Sequence, residues 1–321
     1  MTVAAPTLND LNIQKPRSLW ADAFRRLSRN RAAMVGLVVV VIYVLIAIFA
    51  PLIAPKNPVE QTSGNSLRPP VWVTDNPKRM PNPENLFGTD TNGRDILSRL
   101  IYGVRVSLIV GLVPQLIIVT IGITIGLISG FAERWLDNLL MRITEIVASF
   151  PDLLFIITLT VAFRDTAFGK AFNGLLLIFT ALAAVGWTGM ARLVRGQVLS
   201  LKEKEFIEAA RALGIPTPTI LFRHILPNTM APIIVAISFS IPGLILAEAI
   251  LTFLGVGMKP SVDSTNALPT SLGQMMSEGF SNLSSGPWML LFPVVMISTL
   301  VLSFTFLGDG LRDALDPRDS A

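Results

Sequence analysis

Few residues in this 321-residue chain can make or break bonds. It has no cysteine, which removes thiolate metal sites, disulfides and thiol nucleophiles. It has one histidine, His224, so no paired-histidine zinc site can form. No GxxxxGKS or GxxxxGKT phosphate loop occurs, and the chain itself is not expected to hydrolyse nucleotide or to hold a metal or cofactor. The groups with chemistry left are carboxylates in unusual places. Glu145 and Asp152 lie seven residues apart in one apolar stretch, and Glu248 lies in another. An ionisable group at membrane depth is costly and faces protein or water. Asp152 and Glu248 are therefore candidates for lining a solute path. Glu145 shares a helical face with Asp152, and it can instead pair with Arg142.

The elements that must position these groups are membrane spans. Hydrophobic residues make up 51% of the chain and charged residues 15%, against about 25% charged in soluble domains. That composition predicts an all-α polytopic membrane protein with six spans, near 32–55, 104–132, 137–163, 171–191, 231–254 and 288–307. The first is long enough to cross about 30 Å of hydrocarbon and is too long for a signal peptide. Its polar lead, 1–31, carries Lys15, Arg17, Arg25, Arg26, Arg29 and Arg31. The net charge of +4 invites a nucleic-acid reading, but the basic residues sit where topology is set. The N-terminus, the 192–223 region and the C-terminus hold fourteen Lys and Arg. The connections at 164–172 and 255–287 hold only Arg164, Lys170 and Lys259. By the positive-inside rule both termini are cytoplasmic, and 56–103 is extracytoplasmic. The organisation is then a cytoplasmic lead, the first span, that loop, a five-helix core at 104–308, and a cytoplasmic tail at 309–321.

Within the core, 200–228 is a polar island with helical punctuation. Ser200 and Glu203 have capping-box spacing. Phe206, Ile207, Ala210 and Leu213 give one apolar face, and Gly214 ends the helix. Thr217 and Pro218 open a second short helix, which Pro227 closes. Ala209 and Ala210 keep one side small, so another protein's backbone can come close. Earlier, Asp90 to Gly93 reads as a turn feeding a helix. Asp90, Asn92 and Asp95 have a calcium-like spacing, but Arg94 and a missing twelfth-position acid argue against it. Gly103, Ser107, Gly111, Gln115, Gly122, Gly126 and Gly130 form a small-residue stripe, which predicts a close helix seam.

Four stretches resemble a known family. The run Glu208-Ala209-Ala210, Gly214, then Leu226-Pro227 is similar to the EAA loop of permease subunits in ABC importers. Arg223 to Asn228 resembles the peptide and nickel branch. The run from Gly88 to Ser107 is similar to that branch's GTDxxGRDxLSRxxxGxRxSL signature, in the subunit called the C type. Glu248 to Gly257 resembles its ExxLSFLGLG run, with Thr252 for Ser. Leu307 to Arg318 is similar to its terminal LGDxLRDxLDPR, where Arg312 can pair with Asp309 and Asp316. The likeness lapses at 56–86 and 259–285, where Lys259-Pro260-Ser261 and Leu272-Gly273 replace the family's usual residues.

The resemblance implies a type I ABC importer permease fold with an extra N-terminal span. It implies a second, homologous permease that together with this chain encloses the path for dipeptides or longer peptides. Nickel chelates or other small solutes are the alternative. Two cytoplasmic ATPases would bind ATP and Mg, and an extracytoplasmic binding protein would deliver solute. Phe206, Glu208, Ala209, Ala210, Gly214 and Ile215 would form the joint to one ATPase. Two other classes compete. A membrane enzyme would need a polar constellation that one His and no Cys make hard to build. An ATPase-independent channel or secondary transporter would leave the 200–228 island without a purpose.

Overall fold

The computed structural model describes residues 19–74 and 80–315. Among these residues every regular element is a helix, apart from a single bridge between Thr89 and Asp95. α1 (Leu19–Leu27) leads into α2 (Arg31–Ile48), whose N-cap Asn30 accepts from the Ala33 amide at 3.1 Å. α3 (Ala50–Ile53) is one short turn. α4 (Ile96–Phe131) is a single helix of 36 residues capped by Asp95, about 54 Å long, so it outreaches the hydrocarbon core.

α5 (Arg134–Ala148) and α6 (Asp152–Phe163) meet at an angle of 80°. The cause is Pro151, which lacks an N–H and steers Phe150 away from helical geometry. The expected straight third span is therefore broken. Asp152 opens α6 rather than lying deep inside one helix, and it shares no helix face with Glu145. α7 (Ala167–Lys170) is followed by Phe172, Asn173 and Gly174, all at positive φ, and then by α8 (Leu175–Leu201). The connection carries α9 (Glu205–Ala212) and α10 (Thr217–Ile220). A π turn at Leu221–Ile225 joins α10 to α11 (Leu226–Phe253).

Pro227 does not close a helix as its position suggested. It has no N–H for the Arg223 carbonyl, and its ring crowds that group. The chain answers by widening into the π turn, where the Leu226 N–H reaches back to the Leu221 carbonyl. α10, the turn and α11 then run on as one span, 217–253.

α12 (Leu272–Ser281) lies in the 255–287 outer connection, where no helix was expected. Ser271 caps it, and Gly273 and Gly279 let it press onto the backbones of Ala249 and of Met289 and Leu290. α13 (Trp288–Leu315) runs past the expected end of the last span. Arg312 makes no ion pair with Asp309 within 4 Å; Asp316 lies outside the described residues. Among the described residues, five helices are long and apolar enough to cross a membrane, six if the bent α5–α6 pair is one span.

The core is organised by the α4–α8 crossing, the most extensive helix pair. The glycine stripe makes that crossing possible. A Cβ on Gly126 would lie 2.6 Å from the Val194 Cβ, and one on Gly130 2.6 Å from that of Val198. Gly103 and Gly111 instead face Leu272 and Ile245. The expected seam thus serves two partners, α8 along its later half and α11–α12 along its first. α2 lies on α13, fastened by the Tyr43 hydroxyl at 2.5 Å from Thr299 Oγ1 and 3.2 Å from the Met296 carbonyl.

Candidate functional site

The 202–225 connection is a built projection. Ser200 stays inside α8, so the expected capping box does not form, and Lys204 takes the extended N-cap conformation instead. Glu205 and Glu208 stand in the first turn of α9 and Arg211 in the last, which suits the helix dipole. Gly214 sits at φ 74 in a Schellman motif: its N–H donates to the Arg211 carbonyl at 2.9 Å, and that of Ile215 donates to Ala210 at 3.1 Å. The Arg211 guanidinium lies 4.6 Å over the Phe131 ring, tying α9 to the end of α4. Lys202 Nζ donates to the Gly130 carbonyl at 3.2 Å.

The apolar face splits in two. Ile207 and Ala210 are buried in the same core as Ile220 and Ile225. Phe206 and Leu213 are exposed, Leu213 at 80%, as is Phe222 at 65%. Glu208, Ala209 and Gly214 are also exposed, and Ile215 is half-buried. Ala210 therefore packs inside the projection, and Ala209 is the small residue on its outside.

A second feature lies between α5, α6, α8 and α11. Asp137 accepts from Arg195 Nε at 2.6 Å and Nη2 at 2.7 Å, and from the Ser129 hydroxyl, which locks α4, α5 and α8 together. Arg142 and Glu145 form the pair the sequence allowed, at 3.2 Å and exposed. Asn138, Arg142, Glu145, Arg192 and Arg195 line a polar cleft of about 340 Å³. Beyond it, Asp152 lines a cavity of about 430 Å³ with Ile118, Val185, Ser240, Gly243 and Ala247. Glu248 does not join it. It is fully buried, with Oε1 accepting from Thr252 Oγ1 at 2.7 Å and Oε2 unpartnered. That bond holds the last turn of α11, where Thr252 Oγ1 also accepts from the Met258 amide at 3.3 Å.

Sequence reasoning missed a third feature. Asp90 binds Arg94 at 2.6 Å and Arg99 at 2.5 Å, and Arg99 also reaches Glu278 of α12 at 2.6 Å. Asp95 accepts from Asn85 and from the Ser98 amide, both at 2.8 Å. This network pins the 56–95 loop and α12 to the start of α4. The GRDxxSR spacing was its visible half; Glu278, 179 residues from Arg99, was not.

Spans around a cavity, with one connection folded into a stiff projection, define a polytopic transport subunit rather than a membrane enzyme. Residues 122–320 match the family of binding-protein-dependent transport system inner membrane components. Residues 18–70 match the N-terminal TM domain of oligopeptide transport permease C. The chain belongs to that family of inner membrane transport components. Its members are permeases, with ATP hydrolysis left to a partner ATPase and solute brought by a binding protein. It is 41% identical over 305 residues to the oligopeptide transport system permease protein OppC of Haemophilus influenzae, covering 94% of this chain and 90% of that one. It is 40% identical over 301 residues to the dipeptide transport system permease protein DppC of Alkalihalophilus pseudofirmus, with the same coverage. The fold is similar to an inward-facing MetNI methionine ABC transporter, with a TM-score of 0.56 and 20% identity over 69% of this chain and 98% of that one.

Proposed function

We propose that this chain forms one half of a peptide import path and that the 202–225 projection is its joint to an ATPase. A second, related permease completes the path, and a second ATPase binds that partner. Both termini and the projection face the cytoplasm, and the 56–95 loop faces the binding protein. The observation that carries this reading is the apolar outer face of the projection. Phe206, Leu213 and Phe222 stand exposed on helices held rigid by a Schellman turn and a cation–π contact, and nothing among the described residues covers them. Exposed aromatic and aliphatic anchors on a stiff support are what a protein partner's cleft accepts. Peptide as solute is supported by the kinship with oligopeptide and dipeptide permeases. In this reading the path includes the cavity that Asp152 lines between α6, α8 and α11, and Glu248 serves to hold the last turn of α11.

Co-purification tests the joint. Leu213→Asp and Phe206→Asp are expected to insert normally, keep the second permease and lose the ATPase. Retention of ATPase by both variants would remove the projection as its docking site.

A further inference from the structure

The charges along the inner side of α5, α6 and α8 can be paired off. Arg195 is taken by Asp137, and Arg142 by Glu145. Arg192 in the polar cleft and Asp152 in the cavity beyond it are left, each without an opposite charge within 4 Å among the described residues. Arg192 stands two helical turns along α8 from Val185, which lines the Asp152 cavity. At 1.5 Å per residue the two levels are about 10 Å apart.

A polar track joins them. Asn138, Arg142 and Glu145 of α5 and its C-cap Ser149 recur at spacings of three and four, all exposed, and Asp152 follows across the bend. The track is also kept clear. A Cβ added at Gly189 of α8 or Gly243 of α11 would meet nothing within 4 Å. Neither glycine is needed for packing among the described residues.

We infer that this track is matched to a zwitterion with charges about 10 Å apart: a peptide of two to four residues with free ends, its ammonium at Asp152 and its carboxylate at Arg192. An extended chain spans at most about 3.3–3.6 Å per residue, so three residues bridge the two levels. A charged terminus leaving water is costly unless it meets an opposite charge, and one waiting at each level lowers the barrier. The inference rests on reading the Asp152 cavity as part of the solute path.

The test uses the whole transporter with its binding protein in proteoliposomes, and three labelled tripeptides: free, N-acetylated and C-amidated. Each variant's uptake is divided by wild-type uptake of the same peptide, which cancels the binding protein's preferences. Arg192→Gln is expected to cut uptake of the free and acetylated peptides about tenfold and of the amidated one by less than about twofold. Asp152→Asn should cut the free and amidated peptides and spare the acetylated one. Arg192→Lys, which keeps the charge, should retain uptake. Equal losses for all three peptides would assign both residues to structure and overturn the proposal, as would unchanged uptake. A wild-type transporter that takes up none of the three would overturn the peptide reading itself.

Discussion

Removing Arg99, in the first turn of α4, should unfasten the outer loop and α12 from that helix while leaving the contacts between the spans in place. Its side chain is 2% exposed and that of Asp90 1%, so neither charge is screened by water. Taking one partner from a buried pair costs about 3–5 kcal/mol, because the other charge stays behind unpaired. Arg94 still holds Asp90 at 2.6 Å and Glu278 at 3.2 Å, which keeps the loss at the lower end. Arg99→Met is therefore expected to cost about 3 kcal/mol. Glu278 is 24% exposed, and Glu278→Gln keeps its shape, so about 1.5 kcal/mol is expected. The two share one interaction, and the double variant should lose less than the sum. Burial pushes the Glu278 carboxyl up, but Arg99, Arg94 and Gln274 outweigh it and hold it below the ordinary 4.5. Its contribution is complete above that ordinary value and is lost as pH falls through the lower folded one. The stability gap between wild type and Glu278→Gln should thus narrow as pH falls below 4.5 and close once the folded carboxyl is protonated. Denaturant unfolding of the purified chain in detergent, followed over pH, reads all three. A strictly additive double variant, or a gap that does not change with pH, would refute the network.

At the seam, Gly126→Leu places a side chain where a Cβ alone lies 2.6 Å from Val194 and 2.7 Å from the Ala191 carbonyl. It should cost at least about 1–3 kcal/mol and force α4 from α8, seen as a lowered unfolding midpoint. Ala210→Trp should unfold the projection itself, since Ala210 is buried in its own chain, whereas Ala209→Trp should leave it folded; limited proteolysis of the 202–225 segment separates the two. Topology can be read with single cysteines in this cysteine-free chain, at exposed Ser63 and Thr217. An impermeant thiol reagent on intact cells should label position 63 and not 217, and the reverse would invert the scheme.

Much of this fold was legible because apolar runs of span length and glycines at four-residue spacing are local signals. So was the end of α9: a glycine with positive φ is demanded by its helix end, and Gly214 supplies it. What could not be read depends on neighbours distant in sequence. Ile207 and Ala210 look equivalent to Phe206 and Leu213 in a helical pattern. Only the fold of α10 and the π turn beneath them decides which pair is buried. The 80° bend has a local cause in Pro151, but prolines are tolerated inside membrane helices, as Pro114, Pro232 and Pro242 show. Glu248 looked like a path residue because depth alone is visible in sequence. Its enclosure comes from α12, a short glycine-bearing helix in a connection where no helix was expected.

The joint to the ATPase is tested most directly by Gly214→Val in the reconstituted transporter. No atom lies within 4 Å of the added Cβ, so the whole effect comes from a β-branched residue held at φ 74. The variant should turn the exposed face of α9 while the spans and the second permease stay in place. ATP hydrolysis is then measured with and without loaded binding protein. The expected result is basal hydrolysis that no longer rises with loaded binding protein, together with lost uptake. Normal stimulation and normal uptake would contradict the claim that force passes through this projection.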